Sequence, residues 1–172
     1  MGLFKSLKEL IKINNELKKY SDMSTQELYN LSDDELYEAL ECFTSHETYN
    51  DPNANEAQKV YSVVNYFHTN IMDGSLCKFF VYADVECYQL VSKCLDAIGA
   101  YKTKELFDNF VRENEIDLND DKVFCCYNDD EYLELFDLYP FEEFDEPYCE
   151  SDEVYHSLIE YARMNIRELT EK

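Results

Sequence analysis

Only three glycines and three prolines punctuate the 172 residues. That is too few for the tight turns a strand-rich fold demands, so long amphipathic helices are the expected element. Glycine occurs only at Gly2, Gly74 and Gly99, a set from which neither a Gly-rich phosphate cradle nor a dinucleotide-binding fingerprint can be written. Positive charge is scarce as well: 15 Lys plus Arg stand against 38 Asp plus Glu, for a formal charge of -23. Proteins that bind nucleic acid directly neutralise phosphates with clustered Lys and Arg, so this balance argues against direct nucleic-acid binding. No run approaches 18 consecutive apolar residues, so no membrane-spanning helix is expected. His46, His68 and His156 are scattered singly, and the seven cysteines contain no C-x-x-C pair. No zinc site of known pattern follows, and no metal or cofactor is expected. An odd number of cysteines without a cleavable signal sequence fits reduced thiols in a cytoplasm.

What is present is apolar enough to fold: 45% of residues are hydrophobic and 15% aromatic, far above the level at which a chain stays disordered. From Leu3 to Tyr20 apolar residues recur at a helical period, with Lys5, Lys8, Lys12, Lys18 and Lys19 largely around them. The first 20 residues carry +3 and the other 152 carry -26. The Lys-bearing face is therefore expected to dock on acidic surface of its own chain or of a second copy, as a homodimer. Met1 to Ser6 matches the myristoylation pattern, but the pattern is short and membrane contact is not expected.

Ser24-Thr25-Gln26-Glu27 and Ser32-Asp33-Asp34-Glu35 are capping boxes that start helices over about 25–31 and 33–46. Residues 48–55 read as a loop, which divides an N-terminal helical appendage (1–52) from an acidic domain (53–172). In that domain Val60, Val63, Val64, Phe67 and Ile71 fall on one helical face that stops at Asp73-Gly74. Cys87, Leu90, Val91, Cys94, Leu95 and Ile98 line the next helix, which Gly99 ends as a left-handed cap. Both cysteines read as small buried hydrophobes. A helix over 103–114 buries Leu106, Phe107, Phe110 and Val111. Another begins near Asn128, carries Tyr132, Leu135, Phe136 and Tyr139, and closes before Pro140. Ser151 caps a last helix whose Tyr155, Leu158, Ile159, Ala162, Ile166 and Leu169 face the core. The expected architecture is all-α: a single-domain bundle of about seven helices with an N-terminal helical appendage.

Residues from about Glu56 to Glu168 resemble the bacterial family named for the DNA-mimic protein C-terminal domain. The matching order is Val60-Tyr61-Ser62-Val63-Val64-Asn65-Tyr66-Phe67, then Asp73-Gly74-Ser75-Leu76-Cys77-Lys78-Phe79-Phe80, then Cys94-Leu95-Asp96-Ala97-Ile98-Gly99-Ala100. A Pro140-Phe141-Glu142-Glu143-Phe144-Asp145 turn and the helix through Tyr161 and Asn165 complete it. Where the family writes Asn-Gly-Gly-aromatic-x-Gln, this chain has Asp73, a single Gly74, Leu76 and Lys78. The resemblance implies an all-helical fold, no catalytic residue, and binding of a DNA-binding protein through DNA-like negative charge.

The charge itself is most concentrated between Lys122 and Arg163, forty residues with no Lys or Arg, thirteen Asp or Glu and six Tyr. On the helix after Asn128, Asp130, Glu134 and Asp137 share one face at rises of about 6 and 4.5 Å. Each strand of duplex DNA carries about one charge per 3.4 Å of axis. A row of this density, flanked by Asp129 and Glu131 and reinforced by Glu142, Glu143, Asp145, Glu146, Glu150, Asp152 and Glu153, is the candidate surface for a basic partner. That partner is a DNA-binding protein, or a nuclease that this chain would block as an immunity protein or antitoxin. The competing view is a solvated acidic face that maintains solubility alone.

Two catalytic or metal readings rank below this. Asp117 to Asp121 begins like a calcium loop, yet Lys122 stands where Gly is needed and Asn128 where a bidentate Glu is needed. Glu142 and Glu143 are adjacent carboxylates with nothing to split their pKa values for acid and base work.

Overall fold

The computed structural model describes residues 19–120 and 122–171, and every regular element among them is helical. The basic segment 1–18 and its expected docking lie outside the described residues. Residues 19–21 are helical, and after them, among the described residues, ten α-helices run in order: α1 Thr25–Tyr29, α2 Asp33–Leu40, α3 Glu56–Met72, α4 Leu76–Tyr82, α5 Val85–Ile98, α6 Tyr101–Glu113, α7 Asp129–Leu138, α8 Glu142–Cys149, α9 Glu153–Met164 and α10 Ile166–Thr170. One 3-10 turn, Thr48–Asn50, sits in the loop before α3.

Local chemistry sets the starts. Ser24 and Ser32 accept from the amides of Glu27 and Glu35, whose carboxylates return the bond to the serine amides at 2.8 and 3.1 Å, as capping boxes require. Asn55 and Gln58 form a third box at α3. Their side-chain amides also donate to the carbonyls of Glu168 and Glu171 at 2.8 and 2.9 Å. The start of α3 is thereby tied to the end of the chain.

α3 is the central helix, packed against α4, α5, α9 and α10. Phe67 is fully buried on it and meets Phe79, Phe107, Phe144 and Tyr148 at centroid distances of 5.1 to 6.2 Å, all edge to face. A ring so enclosed contributes through area and quadrupole geometry together, and its truncation to alanine would cost about 3–5 kcal/mol. Cys87 and Cys94 are buried as expected, and burial pushes the Cys94 thiol up to about 12. Gly99 ends α5 at φ 82°.

Several expectations need correction. α2 stops at Leu40 rather than running to 46; the chain turns there, and the Thr44 hydroxyl bonds to the Leu40 carbonyl at 3.1 Å. The last helix is two: Asn165, at φ -113° and ψ 21°, breaks it, and its amide caps the Tyr161 carbonyl at 2.8 Å. The Ser151 hydroxyl accepts from the Glu153 amide, from a position just outside the N-cap residue Asp152. Leu90, Leu106 and Val111 are only partly buried at the margin of the core. The stretch after Pro140 is a full helix, α8, despite Pro147 within it. Phe144 and Tyr148, four residues apart, bury its inner face, and the helix ends two residues beyond the proline.

Candidate functional site

The forty cation-free residues fold mainly into α7, α8 and most of α9. Asn128 starts α7 by accepting from the Glu131 amide at 3.0 Å. Asp129, Asp130 and Glu131 occupy its first turn, where the helix dipole favours negative charge. Leu135 is buried, and Tyr132, Phe136 and Tyr139 pack half-buried beside it. The Tyr132 hydroxyl lies 3.4 Å from Ser75 Oγ, and the Tyr139 ring packs 5.7 Å from both Phe124 and Phe141.

With that side fixed, the 3.6-residue period turns Asp130, Glu134 and Asp137 outward, and all three are exposed. Leu133 and Leu138 flank this stripe at 61% and 68% exposure. On α8, inward Phe144 and Tyr148 leave Glu142, Glu143 and Glu146 in solvent. Asp129, Glu150 and Asp152 are exposed as well. No ion pair among the described residues involves a carboxylate of α7 or α8.

Three of the twelve candidate carboxylates are engaged within the fold. Glu131 accepts from the Tyr127 amide at 2.7 Å and from Asn128 Nδ2 at 2.8 Å. Asp145 is half-buried and accepts from the Leu76 amide at 2.8 Å at the start of α4. Burial raises its pKa to about 6 against the opposing effect of that bond, and neighbouring Glu142 adds to the rise. Glu153 accepts from the Lys102 and Thr103 amides at 3.2 and 2.8 Å and from the Thr103 hydroxyl at 2.8 Å. It caps α6, whose own N-cap residue, Ala100, has no side chain to do so. The Asn128-x-x-Glu131 spacing is a helix-start signature, whereas sequence spacing carried no sign of the Asp145 and Glu153 roles, whose partners are set by packing. The other nine are exposed among the described residues.

The apparent calcium loop has a local use. Asp117 accepts from the amide and the side chain of Asn119 at 2.9 and 2.7 Å, bonds that lower its pKa. This is an Asx-type turn in which the carboxylate mimics a backbone carbonyl.

The body is all-helical, and among the described residues no cation pairs with the acidic stripe it carries. The chain belongs to the family described as DMP19-like protein, whose model matches residues 52–165, and that is the DNA-mimic protein family. No curated protein and no solved structure matches the chain. Among the described residues, no helix is long and apolar enough to cross a membrane.

Proposed function

We propose that this chain is a DNA-mimic-type binder of a basic, nucleic-acid-binding protein, acting in the cytoplasm without catalysis. Residues 53–172 form the acidic module, and the exposed carboxylates of α7 and α8 are its contact surface. The observation that carries this reading is the outward stripe of Asp130, Glu134 and Asp137, exposed and without an ion-pair partner among the described residues. Membership of the family supports it. Glu131 holds the start of α7, Asp145 ties α8 to the start of α4, and Glu153 ties α9 to the start of α6.

Complementary fields of this kind accelerate encounter, and rim charges act mainly through the association rate. The test begins with capture of partners from native lysate at low salt and continues with the purified pair. Affinity is expected to fall between about 50 mM salt and 0.15 M, where the Debye length is about 8 Å. Duplex DNA is expected to displace the protein from its partner. Replacing Asp130, Glu134 and Asp137 by Asn, Gln and Asn keeps their size and should weaken binding. A partner that holds this variant as tightly as the original, and that DNA does not displace, overturns the reading. Recovery of a basic nuclease would assign the chain to the immunity or antitoxin branch of the same mechanism.

A further inference from the structure

A second surface lies away from the outward face of α7. An open groove of about 670 Å³ runs between the loop 45–52 and the junction of α4 with α5. Its floor is aromatic: the His46 ring lies against Tyr66 at 5.2 Å between centroids and 27° between planes. Tyr66 is itself anchored, edge-on to Phe79 at 6.2 Å and with its hydroxyl donating to the Tyr82 carbonyl at 3.0 Å. Tyr82 stands at the rim with 65% of its surface exposed.

The walls are acidic and held in place. Asp84 accepts from the Tyr49 hydroxyl at 3.0 Å, from Asn50 Nδ2 at 3.2 Å and from the Cys87 amide at 2.8 Å. These bonds lock the 3-10 turn onto the start of α5, so the groove is built before any ligand arrives. Glu47 and Asp51 add two exposed carboxylates, and among the described residues no Lys or Arg lines the groove. Tyr82 also lines a neighbouring depression that reaches Asp129 at the start of α7. That depression, which Lys78 also lines, adjoins the groove at Tyr82.

We propose that this groove takes a guanidinium group, the side chain of an arginine on a protein partner. A flat, delocalised cation stacks on aromatic rings and offers several N–H donors to carboxylates at once. An ammonium on a flexible stem satisfies the charge but not the stacking, which makes the groove selective for arginine over lysine. Such a pocket gives a specific anchor beside an otherwise diffuse electrostatic surface, as aromatic and arginine contacts do at interface centres.

The test is an NMR titration of the full chain with N-acetyl-L-argininamide and, separately, with N-acetyl-L-lysinamide. The expected result is saturable shifts at His46, Tyr66 and Tyr82, with the lysine probe about threefold weaker or more. Glu47→Gln with Tyr82→Ser should abolish the response; both side chains are largely exposed, and circular dichroism checks that the helices remain. If the pair perturbs the fold, Glu47→Gln alone should still weaken arginine binding. The variant neutralised at Asp130, Glu134 and Asp137 should keep the groove response, so failure here and failure of the α7 reading are separate outcomes. Equal response to the two probes, shifts confined to α7, or full binding by a folded Glu47→Gln, Tyr82→Ser variant would each overturn the proposal.

Discussion

Glu153, at the first position of α9, closes the start of α6 by accepting from both the amide and the hydroxyl of Thr103, each at 2.8 Å. The two residues are fifty apart in sequence, and the bond joins two helices as well as satisfying free donors. A carboxylate in the middle of the most acidic stretch is therefore a structural cap. Charge-assisted bonds at a helix N-terminus are among the stronger ones.

Glu153→Ala leaves the Thr103 amide and hydroxyl without that acceptor and should lower stability by about 1–2 kcal/mol. Glu150→Gln, at an exposed site three residues earlier, should stay within about 0.5 kcal/mol. Urea denaturation of the two variants checks this contrast, and equal stability would remove the capping role.

Asp145 gives a pH dependence of opposite sense to the usual carboxylate. Its folded pKa, about 6, lies above the ordinary value of 3.8 because burial disfavours the charge. In the window between those values the folded state binds more protons than the unfolded one, so this site's contribution to stability is present below pH 4 and is lost as pH rises through 6. Asp145→Asn keeps an acceptor for the Leu76 amide and removes the buried charge. With a discount for its partial exposure to solvent, it should stabilise the protein by about 1 kcal/mol at pH 7 and leave it unchanged near pH 4. Thermal melts at the two pH values decide it, and destabilisation at pH 7 would refute it.

At Gly99 a Cβ would meet nothing within 4 Å, yet the backbone sits at φ 82°. Gly99→Ala therefore isolates left-handed strain from packing, and should cost about 1 kcal/mol. A variant as stable as the parent would show that the α5 cap relaxes without cost.

Neutralising Asp130, Glu134 and Asp137 removes three exposed charges from a chain at -23. Stability should hold or rise, since self-repulsion in the compact state declines. The urea midpoint is the measurement. A large loss would mean that the stripe supports the fold and is not free for a partner.

Much of the bundle was legible in the sequence because it rests on local rules. Ser24 with Glu27 and Ser32 with Glu35 carry their capping chemistry within four residues, Gly99 marks its own helix end, and Val60 to Ile71 keep one apolar face at the helical period. The outward stripe Asp130, Glu134 and Asp137 was legible for the same reason: the inward period of Tyr132, Leu135, Phe136 and Tyr139 fixes which way the carboxylates turn. Tertiary structure alone decided the rest. α8 forms across Pro147 because Phe144 and Tyr148 have a core to enter, and local propensity contains no record of that core. Asp145 and Glu153 look like any other carboxylate until packing brings the free Leu76 amide of α4 and the uncapped start of α6 against them. The groove at His46 and Tyr66 arises where two segments far apart in sequence meet, a juxtaposition that neither segment encodes by itself.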